Sequence, residues 1–284
     1  MEAWPDGRDA ATESTRLMDL GLRGRATVVA GGTRGVGRAT AELLAAEGAR
    51  VAVLARTPTH LREAEEELLA AGAEDAIGLE CDLLDTGEVE AAFTFLDERW
   101  GECHALVNTV GPAHVGGLDD LTDAAWLDEF DLGVLTMIRT TRAALPLLRQ
   151  ATFARVVNVA ASSIRHQSAG LIGFTAAKAA MASASKNLSR ALAPEGIIVN
   201  TVAPGTVMSP TLASYLVGTD LEGLPEGPLE AAYEAIARDY GASNDIGRVG
   251  LPEEVATMVV FLCSELCSFV VGATVPVDGG TDFF

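Results

Sequence analysis

Short runs of apolar residues alternate along the chain with longer amphipathic segments. The runs ATVVAGG (26–32), RVAVLAR (50–56) and RVVNVAA (155–161) are rich in valine and alanine, which is typical of buried strands. Segments such as GRATAELLAAEG (37–48) place apolar residues every three or four positions, which predicts helices. Strands and helices that alternate over roughly 30 residues indicate βαβ crossovers. The pattern predicts an α/β fold: one domain with a Rossmann-like, doubly wound parallel sheet and helices on both faces.

The same pattern of apolar residues predicts the other elements. One helix carries Lys178, and a late helix is predicted at PEEVATMVVFLCS (252–264). A single long helix is predicted through 124–148. Further strands are predicted near AIGLECD (76–82), ALVNTVG (105–111), IIVNTVAPG (197–205) and ATVPVDGG (273–280).

Two segments fall outside this alternation. Residues 1–17 are acidic and polar and lack the apolar centre of a secretory signal, so they are predicted to be a disordered extension before a domain at 18–284. Residues 206–250 are rich in glycine, proline and tyrosine and show no regular pattern. A long irregular segment inside a compact domain usually covers an active site, so a lid is predicted at 206–250.

Charge and cysteine content narrow the function. The formal net charge of −20 at pH 7 argues against nucleic acid and anionic membranes as partners, because both repel an acidic surface. No run of about 18 apolar residues exists, so no membrane span is predicted. The four cysteines form no CxxC pair, and Cys263 and Cys267, on an apparent helix, have no histidine or cysteine nearby to complete a metal site. No metal is expected, and reduced thiols in a cytoplasmic protein are predicted.

The first strand–turn–helix unit carries the sequence AGGTRGVG (30–37). Glycines at such a turn let the backbone approach a pyrophosphate, and the start of the helix offers free N–H groups and the positive end of its dipole. The turn therefore predicts a dinucleotide site. The alternative is a tight turn without a ligand.

The end of the second strand indicates which dinucleotide binds. NAD-binding folds carry an acid there to hold the ribose hydroxyls, whereas this chain has Ala55 followed by Arg56. A second arginine, Arg34, lies inside the glycine turn. Two guanidinium groups and no carboxylate suit a 2′-phosphate, because arginine pairs with phosphate through two hydrogen bonds. NADP(H) is the predicted cofactor, with NAD(H) as the alternative.

These motifs, in this order, resemble those of the short-chain dehydrogenase/reductase family over about residues 20–284. The glycine turn is similar to the family's TGxxxGxG with Ala30 replacing the threonine, and NTVG (108–111) is similar to its NNAG. The resemblance implies that Asp82 contacts the adenine and that Thr206 and Val207 flank the nicotinamide. The implied cofactor residues are Gly31, Thr33, Arg34, Gly35, Val36, Gly37, Arg56, Asp82, Leu83, Asn108, Gly111, Lys178, Pro204, Gly205 and Val207.

The catalytic end departs from the family pattern. Family members use an Asn, a Ser, a Tyr and a Lys; the Tyr exchanges a proton with the substrate oxygen, and the Lys holds the nicotinamide ribose. Here the Tyr position is Phe174 and the Lys position is Lys178. The Ser position falls on Ala161 and the Asn position on Gly133. Of the four catalytic groups, this sequence retains the lysine alone.

Candidate replacements lie in loops at the carboxyl ends of strands, where α/β sheets place their sites, and in the predicted lid. A serine just after Ala161 could contact a substrate carbonyl, a histidine acts as an acid near neutral pH, and a lid tyrosine could present a phenol. For each of them the alternative is a structural role. The catalytic candidates beside Lys178 are Ser162, Ser163, His114, His166 and Tyr215; Tyr233 and Tyr240 are the other lid tyrosines, and His60 and His104 are predicted to be structural.

Three functions stay open at this point. The first is an NADP(H)-dependent oxidoreductase that reduces a carbonyl or quinone-like group of an apolar, hydroxylated small molecule. The second is a non-redox isomerase, dehydratase or cyclase on the same scaffold, and the third is a nucleotide-binding regulator or inactive partner subunit. The resemblance also implies a homodimer or homotetramer that packs through the helix around 124–148 and the helix that carries Lys178.

Overall fold

A parallel sheet of seven strands forms the centre of the computed structural model, which describes residues 19–111, 114, 116–209, 212–213, 228–240 and 243–281. The strands are β1 (Ala26–Ala30), β2 (Arg50–Ala55), β3 (Asp75–Glu80), β4 (Ala105–Asn108), β5 (Ala154–Val159), β6 (Ile197–Pro204) and β7 (Thr274–Val277). Their order in the sheet is β3-β2-β1-β4-β5-β6-β7, and each neighbouring pair is parallel. The predicted doubly wound α/β fold is confirmed.

Helices connect the strands and cover the sheet. The described α-helices are α1 (Gly35–Ala46), α2 (Pro58–Ala71), α3 (Thr86–Trp100), α4 (Asp123–Phe130), α5 (Thr136–Leu148), α6 (Ile172–Leu192), α7 (Pro228–Tyr240) and α8 (Pro252–Cys263). In the described part of the chain, no helix is long and apolar enough to cross a membrane.

The strands are apolar on both faces because helices cover both sides of the sheet, and successive side chains point to opposite faces. Val29, Val53 and Val107 enter one core with side chains of α1 and α8. The residues just before or after them enter the other core, with α3 and α5: Val28, Leu54 and Leu106 pack there with Phe93 and Leu148.

The strand order reverses at β1, which pairs with β2 on one side and with β4 on the other. Ala30 therefore lies beside both Leu54 and Asn108 at the carboxyl edge of the sheet. The chains that leave β1 and β4 diverge from this edge. In open α/β sheets, ligands bind in the crevice that this divergence creates.

Two details of the helices differ from the prediction. Residues 124–148 are not one regular α-helix, because Asp131–Leu135 form a π-helical turn with the buried Gly133 at its centre. Local widening of this kind depends on packing against other elements and is frequent at functional sites. The late helix ends at Cys263, because Ser264 is extended, so the predicted helical spacing of Cys263 and Cys267 is wrong.

The predicted lid is partly described. Residues 228–240 form α7 instead of an irregular segment, because an apolar face of this helix packs on Leu212 and Val249. Opening and closing of 206–250 as a lid stays a prediction. The predicted disordered extension at 1–17 and the candidate Tyr215 lie outside the described residues.

Candidate active site

The turn between β1 and α1 is shaped by its glycines. Gly31 and Gly35 have φ values of 86° and 53°, a left-handed conformation that strains other residues. A Cβ at Gly37 would collide with the carbonyl oxygen of Gly31, so only glycine lets α1 start this close to the strand. The first N–H groups of a helix lack intrahelical partners and carry the positive end of its dipole. The turn, including Val36 in the first turn of α1, can therefore hold a phosphate.

A cavity of about 210 Å³ continues from this turn along the carboxyl ends of β2 and β3. Its floor is Leu54 and Ala55, and Cys81 lies at the end of β3. The walls carry side chains that were predicted for the cofactor: Thr33, Arg34, Arg56, Asp82 and Leu83.

His60, for which the sequence analysis predicts a structural role, lines the same cavity. It lies in the first turn of α2, four residues after Arg56, and both ring nitrogens lie within 3.4 Å of Nη2 of Arg34. Arg34, Arg56 and His60 form a basic rim around the cavity. The sequence signal for His60 is its place at the start of the helix that follows β2, where a side chain can turn back toward the end of the strand.

Lys178 lies on the buried face of α6 at the carboxyl ends of β4 and β5. It is 4% exposed, and its Nζ donates a hydrogen bond to the carbonyl oxygen of Val159 at 2.7 Å. A Cβ at Gly111 would lie 2.5 Å from Nζ, so Gly111 makes room for the ammonium group. Burial lowers the pKa of Lys178 to about 8, and the negative charge of Glu129 acts in the opposite direction.

Glu129 is a buried carboxylate on α4 that the sequence analysis misses. It is 0% exposed, and Oε1 accepts a hydrogen bond from the backbone N–H of His114 at 2.8 Å. Its other oxygen, Oε2, has no hydrogen-bond partner among the described residues. Burial raises the pKa of Glu129, while the His114 N–H and the charges of His114 and Lys178 lower it. The sequence signal is an acid four residues before Gly133, on the same face of the helix.

The side chain of Asn108 serves the packing of the sheet. It is buried, donates to Oδ1 of Asn158 at 2.8 Å and accepts from Oγ1 of Thr140 at 2.7 Å. Asn158 in turn donates to Oγ of Ser185 at 2.8 Å. These bonds tie β4 and β5 to α5 and α6, so a cofactor contact at position 108 is left to the backbone.

A second cavity, of about 380 Å³, lies beside the turn Pro204–Thr206 that follows β6. Phe174 and Ala161 form part of its wall, at the positions where the family resemblance expects a Tyr and a Ser. None of its described lining residues is an aspartate, glutamate, lysine or arginine. The cavity therefore suits an uncharged molecule, and Phe174 and Ala161 offer it no proton.

Hydroxyl groups line part of this second cavity. Ser162 and Ser163 lie at its wall, and Oγ of Ser163 is buried without a hydrogen-bond partner in the described structure. His166 lies at its exposed side. Tyr233 of α7 lines the opposite side, and its hydroxyl lies 3.3 Å from the carbonyl oxygen of Asn244, to which it donates. The buried Ser163 hydroxyl therefore requires a partner that the described residues do not supply.

Two other predicted residues lie away from the second cavity. The His114 side chain is exposed and does not line the cavity as described; its backbone N–H contacts Glu129. Val207, predicted beside the nicotinamide, follows the lining turn and pairs with Gly250 in an isolated parallel bridge. The described residues contain no group of three or more His, Cys, Asp or Glu side chains that could hold a metal ion.

A glycine turn at the switch point of a parallel sheet, with a second pocket at the same edge, defines a dinucleotide-binding α/β protein with a separate site for a small molecule. Comparison with known proteins gives the family. The family model described as enoyl-(acyl carrier protein) reductase matches residues 30–282. The chain belongs to the short-chain dehydrogenase/reductase family.

Similar proteins include a curated relative and two oxidoreductases of known structure. A putative ketoacyl reductase from Streptomyces coelicolor is 34% identical over 256 residues, which cover 89% of this chain and 95% of the relative. An NADPH-bound short-chain oxidoreductase from Pseudomonas aeruginosa PAO1, described as containing an atypical catalytic centre, is 29% identical with a TM-score of 0.84 and covers 93% of this chain and 99% of its own. The complex of L-sorbose reductase from Gluconobacter frateurii with NADPH and L-sorbose is 27% identical with a TM-score of 0.85, covering 93% and 98%.

Proposed function

We propose that the protein is an NADP(H)-dependent oxidoreductase that reduces a carbonyl or quinone-like group of an uncharged, largely apolar, hydroxylated small molecule. The observation that carries this proposal is the second cavity, which is lined by Phe174, by the turn at Pro204–Thr206 and by Ser163, whose buried hydroxyl has no hydrogen-bond partner among the described residues. A buried polar atom without a partner requires an explanation, and a hydrogen bond to a bound ligand would provide one.

The choice of NADP(H) rests on the basic rim. Arg34 and Arg56 can pair with a 2′-phosphate, and the neighbouring His60 adds a third donor to the same cavity. Two of the similar solved structures hold NADPH, which supports the same cofactor here. Lys178, buried beside Gly111, is proposed to bind the nicotinamide ribose through the N–H bonds of its ammonium group that Val159 does not use.

When bound, NADPH would supply a hydride to the carbonyl carbon, and the carbonyl oxygen would take up a proton. Ser163 donates a hydrogen bond to that oxygen and stabilises the charge that develops on it. Phe174 closes the wall and keeps water from the reacting carbon, but its ring has no proton to give. His166, at the exposed side of the cavity, is proposed to donate the proton that the carbonyl oxygen takes up, directly or through a hydroxyl of the substrate.

Ser163→Ala tests this assignment, with Ser162→Ala as the matched control in the same short turn. Loss of one hydrogen-bond donor to a developing oxyanion lowers kcat by about 10²-fold. We expect that loss for Ser163→Ala and a change within about threefold for Ser162→Ala, measured as NADPH oxidation with uncharged ketones and quinones. Equal effects of the two substitutions would show that Ser163 is not the donor.

The runner-up function is a nucleotide-binding partner subunit without turnover. Phe174, Ala161 and Gly133 favour it, because all three replace polar groups of the family's catalytic set. Tight NADPH binding together with no oxidation across a broad panel of ketones, quinones and imines would support this function. A subunit with the intact tyrosine that co-purifies in equal amount would do so as well.

A homo-oligomer is proposed from the exposed apolar side chains of α4 and the π-helical turn. Leu127 is 70% exposed, Phe130 40% and Leu135 44%, and all three lie within the segment that the family resemblance implies for subunit contacts. Exposed apolar residues that cluster in this way are typical of interfaces. Light scattering coupled to gel filtration distinguishes a dimer or tetramer from a monomer.

A further inference from the structure

The buried ammonium group of Lys178 needs a counter-charge, and the residues of this chain at the family's other catalytic positions do not supply one. Its ammonium group is buried, with Val159 as its hydrogen-bond acceptor. A buried cation is costly unless an anion or further acceptors compensate for the lost water. The positions that would supply polar partners hold Phe174 and Gly133, which have no polar side-chain atoms.

Glu129 is the candidate for this counter-charge. It is on α4, one turn before Gly133, and its Cγ lies 3.3 Å from the position of a Cβ at Gly173, so the carboxylate fits because α6 has a glycine there. Oε1 is held by the His114 N–H, and Oε2 has no partner in the described structure. A buried carboxylate oxygen without a partner requires an explanation, and the positive charge of buried Lys178, which acts on Glu129, provides one.

The charged groups around the pair come from three elements. Lys178 lies on α6, His114 lies in the loop after β4, and Asp128 precedes Glu129 on α4; the charge of each acts on Glu129. Glu129 is the group whose charge acts on Lys178. Neither a hydrogen bond nor an ion pair within 4.0 Å joins the two side chains among the described atoms, so the coupling acts between their charges at longer range.

We propose that Glu129 is the buried counter-ion of Lys178 and acts as a positioning residue for the reductase site. The charge of Glu129 keeps the ammonium group protonated at the carboxyl ends of β4 and β5, in the orientation that binds the ribose. The effect on turnover rests on the proposed function. The pairing itself is a property of the free protein and is tested without cofactor or substrate.

The chain has only two lysines, Lys178 and the exposed Lys186, which makes the pairing directly measurable. In protein labelled with ¹⁵N and ¹³C in lysine, NMR titration follows both ammonium groups, and Lys186→Arg assigns the two signals. Glu129→Gln removes the charge but keeps an oxygen for the His114 N–H.

We expect the pKa of Lys178, measured from its signal, to be at least about one unit lower in Glu129→Gln than in the wild type, and the pKa of Lys186 to be unchanged. Glu129→Asp, which keeps the charge, should restore most of the shift.

A Lys178 titration that is the same in wild type and Glu129→Gln would overturn the pairing. If Glu129→Gln does not fold, thermal melting at pH 7 of Lys178→Met and of Glu129→Gln/Lys178→Met decides the question. A buried counter-ion left without its cation is destabilising, so the double variant should melt at a higher temperature than the single one. Equal melting temperatures would contradict the proposal.

The effect on the site is measured through NADPH affinity at two pH values. If the pKa of Lys178 falls by one unit from about 8, the protonated fraction falls about fivefold at pH 8 and very little at pH 6. The affinity of Glu129→Gln should therefore fall several-fold at pH 8 and approach that of the wild type at pH 6, whereas a merely structural defect would weaken binding equally at both. If the lysine titration gives the expected shift but no substrate is turned over, the proposed function fails and the pairing stands. If turnover is found but the titration is unchanged, the pairing fails alone.

Discussion

Phe174 occupies the position where the family's proton-exchanging tyrosine is expected, and it lines the second cavity together with Ala161. If only the acid had been lost, Phe174→Tyr would restore it. The added phenol would instead face the methyl group of Ala161 and lose water without gaining a partner. We therefore expect the initial rate of NADPH oxidation with the true substrate to stay unchanged or to fall. A gain of about tenfold or more, equivalent to roughly 1.4 kcal/mol of barrier, would mean that the site is not built around another proton source.

Cofactor choice at the residue scale depends on the basic rim. Replacing Arg34 and Arg56 together with alanine should weaken NADPH binding by about 2–4 kcal/mol, because charge-assisted hydrogen bonds contribute roughly 1.5–3 kcal/mol each and are not additive. NADH binding should change far less, and Arg62→Ala on the exposed face of α2 should change neither. Titration of both cofactors checks this. Equal losses for NADPH and NADH would exclude recognition of the 2′-phosphate.

The positions of residues in local motifs could be predicted from the sequence, whereas their roles stay predictions. Arg34, Arg56 and Lys178 are examples, because a turn, a strand end and a helix motif fix where each of them lies. His60 and Glu129 could not be assigned in the same way. Their roles depend on contacts between elements far apart in the chain, the first with the glycine turn and the second with α6.

At the scale of elements, the contact between the segment after β4, which contains Gly111, and Lys178 on α6 can be tested. A Cβ at Gly111 would lie 2.5 Å from Nζ and 2.9 Å from Cε of Lys178, whose flexible end can move away at little cost to stability. Gly111→Ala should thus leave the melting temperature almost unchanged but displace the ammonium group and weaken NADPH binding about tenfold or more, the loss of one charged hydrogen bond.

The matched control for Gly111→Ala is Gly117→Ala in the neighbouring loop. A Cβ at Gly117 would make only ordinary contacts, at 3.5 Å from Ala169 and Asp120, so NADPH binding should be unaffected. Isothermal titration and thermal melting of both variants separate displacement of Lys178 from loss of folding. Wild-type affinity in Gly111→Ala would show that this lysine does not contact the cofactor.

The elements themselves were largely predictable because burial on both faces makes parallel strands continuously apolar. Val28 and Val29 illustrate this, since each enters a different core. The π-helical turn at Asp131–Leu135 was not predictable, because single-sequence periodicity does not record a local change in helical winding. Helix α7 was missed for a related reason: its surroundings are rich in glycine and proline, and its apolar face is defined by packing on Leu212 and Val249.

At the scale of the whole molecule, the fold brings two pockets to one edge of the sheet. The glycine turn, the basic rim and Lys178 come from the first half of the sheet and from α6, and the hydroxyl-lined cavity lies between β5, β6 and α7. The order of the strands fixes this arrangement. The family could be recognised from the sequence because its motifs are spread over nearly the whole chain. The substrate could not, because it depends on the shape of one cavity and on residues of the predicted lid.

Transfer of deuterium tests whether this site reduces a substrate with hydride from NADPH. The protein is incubated with NADPH deuterated at C4 of the nicotinamide, separately in each of its two positions, and with each substrate of the panel, and the products are analysed by mass spectrometry. We expect a reduced product that carries one deuterium from one of the two cofactors and none from the other, because a fixed pocket presents a single face of the nicotinamide. A product formed without deuterium from either cofactor, or bound NADPH with no product from any substrate, would contradict it.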